Sequence, residues 1–368
     1  MKKDSKIYIA GHKGMVGSAV WRALEKEGYT NLVGKTSAEL DLRNQTAVNN
    51  FISKEKPDAI IDAAAKVGGI LANNNDQYGF LLENLQIQNN LIQAAHQNDI
   101  QKFIFLGSSC IYPKLAPQPL KEEYLLTGAL EPTNEGYAIA KITGVLLCKA
   151  IREQYNKDFV SLMPTNLYGP NDNFDLHSSH VLPAMLRKFH LAKALENKDW
   201  DILRADLNKR PIEGVSGDAL EIEIITILEK YGLTRHPQLD WGSHEKELTT
   251  QINLWGTGTP MREFLHVHDL AKAVVFAIEN KLPEHLYNVG TGTDITIKQL
   301  AETIQKIIGH KGDVIWDTSK PDGTPRKLLD VSKLNKMGWK AEIELKKGIE
   351  STYKWFLGDN KNKNINDY

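Results

Sequence analysis

Residues 7–17 read Ile7-Tyr-Ile-Ala-Gly11-His-Lys-Gly14-Met-Val-Gly17, and the fold follows from how that string divides. Ile7 to Ala10 is a short apolar run with strand character. From Met15 the apolar residues recur at helical spacing as far as Glu27. The link between them is a glycine turn of spacing G-x-x-G-x-x-G. Small residues there let the backbone turn tightly and approach a phosphate at the helix N-terminus, where unbonded N–H groups and the dipole favour anions. Packing alone can also demand glycine, so the turn by itself is a weak signal. After the first strand of an alternating series it marks a dinucleotide site. Gly11, His12, Lys13, Gly14, Met15, Val16 and Gly17 are the candidate cofactor contacts of this turn.

The alternation continues for about 170 residues. Strand-like runs fall at 6–10, 31–34, 59–63, 102–106 and 159–163, with helical patterns at 15–27, 45–54, 81–97 and 137–155. Strand, helix, strand, helix predicts an α/β fold with a doubly wound parallel sheet. The runs are apolar throughout, as strands covered on both faces should be. Beyond Met163 the pattern loosens. A helix is expected over 181–193, and 194–251 is polar around one helical core at 220–231. That stretch reads as an insertion or subdomain whose role the sequence does not disclose. A glycine-rich turn runs from Trp255 to Phe264. A helix over 269–280, a strand over 286–289, a helix over 297–308 and a last helix near 345–356 complete the chain. We expect a nucleotide-binding domain over 1–170, to which later segments return. A smaller C-terminal α/β substrate domain is expected over 171–358, containing the insertion, and a frayed tail over 359–368.

Composition excludes several classes of function. The 368 residues carry a net charge of −1, with 41% hydrophobic and 25% charged residues, which suits a globular protein with a real core. Near-neutral balance argues against a general nucleic-acid binder. No stretch approaches the ~18 continuous apolar residues of a membrane span, and the run after Lys6 is too short for a signal peptide. Two cysteines, Cys110 and Cys148, cannot build a disulfide scaffold and fit a reducing compartment. These features predict a cytoplasmic protein without a membrane or nucleic-acid partner and without a metal site.

The end of the second strand bears on the choice of cofactor. An acid there binds a free ribose 2′-hydroxyl. Here the residues are Val33-Gly34-Lys35-Thr36-Ser37, and Lys35 with Lys13 would face a 2′-phosphate instead, favouring NADP(H) over NAD(H). Asp41 and Leu42 would border the adenine. Tyr137-Ala-Ile-Ala-Lys141 opens a helix and puts both polar side chains on one face, one turn apart. A phenol that donates a proton at neutral pH needs its pKa lowered, and the Lys141 ammonium is expected to do this. Ser108, at the end of the fourth strand, would hydrogen-bond a carbonyl being reduced. Together these residues resemble the extended branch of the short-chain dehydrogenase/reductase superfamily, whose members act on nucleotide sugars. The resemblance implies a Rossmann-type domain. It also puts Ala64 and Lys66, after the third strand, beside the cofactor. Asn84 could support the same site.

Dehydratases of that branch carry Asp-Glu where this chain has Ser109-Cys110, so a dehydratase would lack its acid and base. A thiol beside a carbonyl can still exchange a proton when its surroundings tune it. Cys148, among Leu146, Leu147 and Ala150, reads as core. His180, downstream of Pro164-Thr-Asn-Leu167-Tyr-Gly-Pro170, could serve as an opposing proton donor. The strings around Gly11, Ala64, Cys110, Pro164, Arg262 and Lys327 resemble the GDP-L-fucose synthase family over nearly the whole chain outside 194–251. The resemblance implies epimerisation of GDP-4-keto-6-deoxy-D-mannose at carbons 3 and 5, then reduction of the 4-keto group by NADPH. In that reading Cys110 abstracts protons and His180 donates them on the other face. Tyr137 protonates the reduced oxygen, helped by Lys141 and Ser108. Pro164, Thr165, Asn166, Leu167, Lys141 and His180 line the cofactor, and Lys188, Trp255, Arg262, Asp322 and Lys327 hold the GDP-sugar. Lys13 and Lys188 stand where the family commonly carries Arg; Lys keeps the charge without the bidentate fork. The resemblance further implies a homodimer paired through helices of the nucleotide domain. Two other readings remain at this point: a nucleotide-sugar 4-epimerase or 4-ketoreductase, which would need neither Cys110 nor His180, and a non-catalytic nucleotide sensor.

Overall fold

The computed structural model describes residues 1–237, 248–320 and 322–358. The opening string forms β1 (Ile7–Ala10) and α1 (Met15–Lys26) around the glycine turn. The chain continues through β2 (Leu32–Val33), α2 (Gln45–Glu55), β3 (Ala59–Asp62), α3 (Ile70–Asn75), α4 (Gln77–Gln97) and β4 (Lys102–Leu106). Then come α5 (Glu135–Tyr155), β5 (Asp158–Pro164) and β6 (Asn166–Tyr168). Next are α6 (Val181–Glu196), α7 (Trp200–Lys209), α8 (Glu221–Lys230), β7 (Leu233–Pro237), β8 (Leu248–Trp255) and β9 (Met261–His266). The remainder is α9 (Val267–Glu279), β10 (Leu286–Val289), β11 (Asp294–Thr296), α10 (Ile297–Ile308), β12 (Asp313–Asp317), β13 (Arg326–Lys327), α11 (Ser332–Lys336) and α12 (Leu345–Leu357).

The chain divides into two compact units. One holds residues 1–172, 263–294 and the described residues from 327 on; the other holds 173–262 and 295–326. The first unit is built on a six-stranded sheet of order β10-β5-β4-β3-β1-β2, parallel throughout. Alternate residues of each strand enter different cores. Ile7, Ile9, Ile61 and Ile104 pack with Val20 and Leu24 of α1 and Val274 and Ile278 of α9. Tyr8, Ile60, Phe103 and Phe105 pack with Ile52 of α2, Leu91 of α4 and Val145 of α5. Both faces are thus covered, which explains the apolar runs in the sequence. The strand order reverses between β1 and β3, and in open α/β sheets ligands bind outside the strand ends at such a reversal.

Of the two readings of 194–251, insertion or subdomain, the described residues fit the second: they are part of the second unit. They supply α7, α8, β7 and β8, and β8 is the middle strand of a three-stranded sheet, parallel to β12 and antiparallel to β7. Leu203, Leu207, Ile224, Leu228 and Leu233 of this stretch are all buried, as are Ile252 and Leu254 just after it in β8. Arg187 on α6 is fully buried and binds Asp206 on α7 through Nε and Nη2, each at 2.8 Å. Arg210 adds a second cation 3.2 Å from Asp206. The segment is therefore structural core of its unit. Residues 238–247 of it, and the expected frayed tail 359–368, lie outside the described residues.

Candidate active site

The glycine turn is as tight as its composition suggests. Gly11 has φ of +75°, and a Cβ there would lie 2.8 Å from the Ala63 carbonyl oxygen. A Cβ on Gly17 would run into the Gly11 carbonyl and lie 2.8 Å from the His12 Cα. The Gly14 N–H donates to Gly11 O at 2.9 Å, and no side chain caps α1. The first-turn amides are thus not consumed by a cap, which suits an anion. Met15 and Val16 turn inward against the core, and Lys13 is exposed. The His12 ring lies against Gly34 and 5.7 Å from the Trp21 ring.

Beyond β2 the loop holds a feature the local sequence conceals. No carboxylate follows the strand directly, yet Glu39 folds back to accept from the Thr36 N–H at 2.8 Å and its hydroxyl at 2.7 Å. Lys35 Nζ lies 3.5 Å from the same carboxylate. The Thr36 hydrogen bonds, aided by Lys35, hold Glu39 down at about 2. Asp41 is gripped by Arg43, and the Leu42 carbonyl accepts from Asn90 at 2.9 Å. After β3, Asn84 staples the Ala64–Lys66 loop: its Oδ1 accepts from the Lys66 N–H at 2.9 Å and its Nδ2 donates to Lys66 O at 3.0 Å. Its role here is to fix that loop. The Lys66 ammonium pairs with Asp76 at 2.7 Å and Glu83 at 2.6 Å.

Pro164 ends β5, and Leu167 lies in β6 opposite Leu265 of β9. The Thr165 hydroxyl and the Asn166 amide both donate to Glu263 O, at 3.2 and 2.8 Å. Glu263, which sequence reasoning passed over, is fully buried. Its carboxylate accepts from the N–H groups of Thr291, Gly292 and Leu329 at 2.6, 2.7 and 3.0 Å. It ties β9 to the loop after β10 and to the segment after β13.

Ser108, Cys110, Tyr137, Lys141 and Lys327 belong to one unit. Ser108 is an extended residue at the end of β4, and its hydroxyl accepts from the Cys110 N–H at 3.2 Å. Lys327 Nζ lies 3.3 Å from Cys110 Sγ, and Asn134 Nδ2 donates to that sulfur at 3.2 Å. Burial pushes the thiol up, but the Lys327 charge and the Ser108, Lys327 and Asn134 hydrogen bonds outweigh it, so Cys110 sits below the ordinary thiol range. Lys327, expected to hold substrate, therefore has the thiol as its partner here. Asn134 was not foreseen, because nothing in a single chain marks one asparagine before a helix as a thiol's neighbour. Cys148 is fully buried and its thiol is pushed up, in keeping with a core residue.

The expectation of a lowered phenol is not met. Burial raises Tyr137 well above its ordinary value, the nearby Cys110 adds to this, and the Ser108 hydrogen bond opposes it. Lys141 Nζ is 5.9 Å from the Tyr137 ring centre and is engaged with Leu106 O at 3.0 Å. Burial lowers Lys141, and Asp62 pulls it back up. The phenol is thus a firmly protonated acid.

The other candidates lie in the second unit. His180 is exposed at the N-terminus of α6. Lys188, one turn pair further on, is lowered to about 8 by burial, with Asn253 O at 3.5 Å. Trp255 ends β8 with 53% of its surface exposed, and Lys320 lies 5.7 Å from its ring. Arg262 Nη1 donates to Met261 O at 2.7 Å. Asp322 accepts from the Thr257 N–H and hydroxyl at 2.9 and 2.7 Å, fixing the turn after Trp255.

Comparison with known proteins places the chain in a family. The model of the NAD dependent epimerase/dehydratase family matches residues 7–211 and 242–290. A putative GDP-L-fucose synthase 2 of Arabidopsis thaliana is 47% identical over 97% of this chain and 93% of its own length. The GDP-L-fucose synthase of Escherichia coli K12 is 47% identical over 96% of each chain. Among solved structures, a GDP-6-OMe-4-keto-L-xylo-heptose reductase from C. jejuni superposes with a TM-score of 0.87 at 39% identity, covering 98% of this chain and 99% of the other. The chain belongs to the NAD-dependent epimerase/dehydratase family, in its GDP-L-fucose synthase branch.

Proposed function

We propose that this chain is a GDP-L-fucose synthase. It epimerises GDP-4-keto-6-deoxy-D-mannose at carbons 3 and 5 and then reduces the 4-keto group, with NADPH as reductant. The observation that carries the reading is the Cys110 thiol held beside the Lys327 ammonium at 3.3 Å, in the same unit as Ser108, Tyr137 and Lys141. The ketone at carbon 4 acidifies both neighbouring C–H bonds, so one base can serve both inversions. Cys110, kept partly as thiolate, takes the proton; the exposed His180 imidazole supplies the replacement. Tyr137 stays protonated until it delivers its proton to the reduced oxygen, and Ser108 hydrogen-bonds that oxygen.

NADPH fits the glycine turn, where a Cβ at position 11 or 17 would strike backbone and where no side chain caps the helix. Gly11 to Gly17 would hold its pyrophosphate, Lys13 and Lys35 its 2′-phosphate, and Asp41, Leu42, Ala64, Lys66 and Pro164 to Leu167 the remainder. When bound it supplies the hydride. Gly17→Ala is expected to weaken NADPH binding at least tenfold in a fluorescence titration, because the turn must open to admit the methyl group. Lys188, Trp255, Arg262 and Asp322 are assigned to the GDP-sugar. Lys188, at about 8, would lose its charge in mildly alkaline buffer unless the bound diphosphate holds the proton.

The test is product identification after incubation with GDP-4-keto-6-deoxy-D-mannose and NADPH in heavy water. GDP-L-fucose carrying deuterium at carbons 3 and 5 is expected. Tyr137→Phe should cut NADPH oxidation by about 10²-fold or more while leaving wash-in of deuterium intact. Cys110→Ser should stall wash-in and divert turnover to reduction of the uninverted sugar. The C. jejuni reductase favours a second reading, 4-keto reduction alone. Reduced product without deuterium at either carbon would establish it.

We further assign the protein to the cytoplasm, on its free cysteines and on the absence, among the described residues, of a helix long and apolar enough to cross a membrane. We assign it as a homodimer paired through α5, where Ile139 and Leu146 are each 41% exposed two turns apart on one face. Sedimentation equilibrium at the mass of one chain would contradict the dimer.

A further inference from the structure

Asp62 is a buried carboxylate to which the mechanism above gives no task. Asp62 ends β3 and is fully buried. Its neighbours on that face of the sheet are apolar or aromatic: Ile60 two residues before it, and Phe105 directly opposite it on β4. Its Oδ1 accepts from the Ala64 N–H at 3.2 Å; its Oδ2 has no partner among the described residues and no solvent. A charge in such surroundings is costly unless an opposite charge answers it. The cation available is on α5. Lys141 is buried over the same aromatic ring, with Nζ 4.8 Å from the Phe105 centre, and donates to the carbonyl of Leu106, the next residue of β4. Tyr8 from β1 and Cys148 from α5 also feel Asp62, but both are acids whose neutral forms its charge favours.

We propose that Asp62 is a positioning residue for the reduction half-reaction: it is the counter-charge that keeps the buried Lys141 protonated beside Tyr137. The inference rests on the assignment of Lys141 above. Burial alone would drive Lys141 toward the neutral amine, and a neutral amine offers no charge to the phenolate formed when Tyr137 gives up its proton. Burial raises Asp62 to about 6, and Lys141 opposes the rise, so at neutral pH the carboxylate is mostly ionised. The pair then has a working window. Below about pH 6 Asp62 takes up a proton and the lysine loses its partner. At high pH the lysine discharges.

Asp62→Asn tests this, because the amide is isosteric and can still accept from Ala64. In protein carrying [ε-13C]lysine, with Lys141→Arg to assign the resonance, the Lys141 titration midpoint should fall by one unit or more. With NADPH and the keto sugar, the rate of reduction should fall about tenfold or more at pH 8. The acid limb near pH 6 should disappear and the basic limb should move down. Deuterium wash-in at carbons 3 and 5, which depends on Cys110, should stay within twofold. Asp62→Glu should recover part of the reduction rate. An unmoved Lys141 titration, or an equal loss of wash-in and reduction, would overturn the proposal. Wild-type protein that fails to turn over the keto sugar would sink the functional reading instead, and the lysine titration would still decide the role of Asp62.

Discussion

Replacement of Lys327 by Met is expected to slow deuterium wash-in at least tenfold at pH 7 and to move its pH profile to the alkaline side. The ammonium lies 3.3 Å from Cys110 Sγ and is the largest influence opposing burial of the thiol. An opposite charge this close favours the thiolate, so its loss lowers the thiolate population. The sign follows from the direction of the shift. The thiol is held below its ordinary value, and removing the cause returns it upward. Lys327→Arg, which keeps the charge, should restore most of the rate. Alkylation by iodoacetamide provides a measurement free of any sugar: the Cys110 reaction should require higher pH in Lys327→Met. Cys148 is fully buried and serves as an unreactive internal control. An unchanged alkylation profile would show that the ammonium does not tune the thiol.

Asp206→Ala is expected to cost about 3–5 kcal/mol in denaturant unfolding, the range for breaking a buried pair by removing one partner. Arg187 is fully buried, with hydrogen bonds to Asp206, to Phe174 O at 3.2 Å and to Arg210 O. Without the carboxylate its charge has no ion-pair partner among the described residues. The double variant Arg187→Met/Asp206→Leu should recover most of the loss, since well-packed apolar residues can replace a buried pair at little cost. A single variant within 1 kcal/mol of wild type would mean that solvent reaches the arginine.

Much of the nucleotide unit was legible because its signals are local. The glycine turn and the apolar strands depend on neighbours in sequence. So does the helix over 297–308 of the second unit, which the Thr296–Gln299 capping box starts and Gly309 at φ +78° ends. The rest of the second unit was harder. Strand β8 reads Leu248-Thr-Thr-Gln-Ile-Asn-Leu-Trp255, and its buried residues Thr250, Ile252 and Leu254 do alternate. A polar threonine in the buried register, bound to His310 at 2.6 Å, hid the pattern. α7 was missed because its apolar stripe is short and its anchor is the charged pair Arg187–Asp206. In the site, Ser108, Tyr137 and Lys141 were singled out from a strand end and helical spacing, and Cys110 from the family resemblance. Asn134, Asp62 and Glu263 were not, since their partners are distant in sequence and ordinary in type. The direction of the Tyr137 shift was misjudged because burial, which no spacing rule reports, outweighs a cation that is engaged elsewhere.

The division of the chain carries a consequence for biogenesis. The sixth strand of the main sheet, β10, and its covering helix α9 come from residues 263–294, and α12 follows still later. A nascent polypeptide ending at residue 172 therefore leaves β5 as an open edge and the Ile7, Ile9 and Ile104 surface half covered. Such an intermediate invites chaperone capture or self-association on the ribosome until nearly the entire message has been translated. Gene fragments cut at that point should accumulate in inclusion bodies.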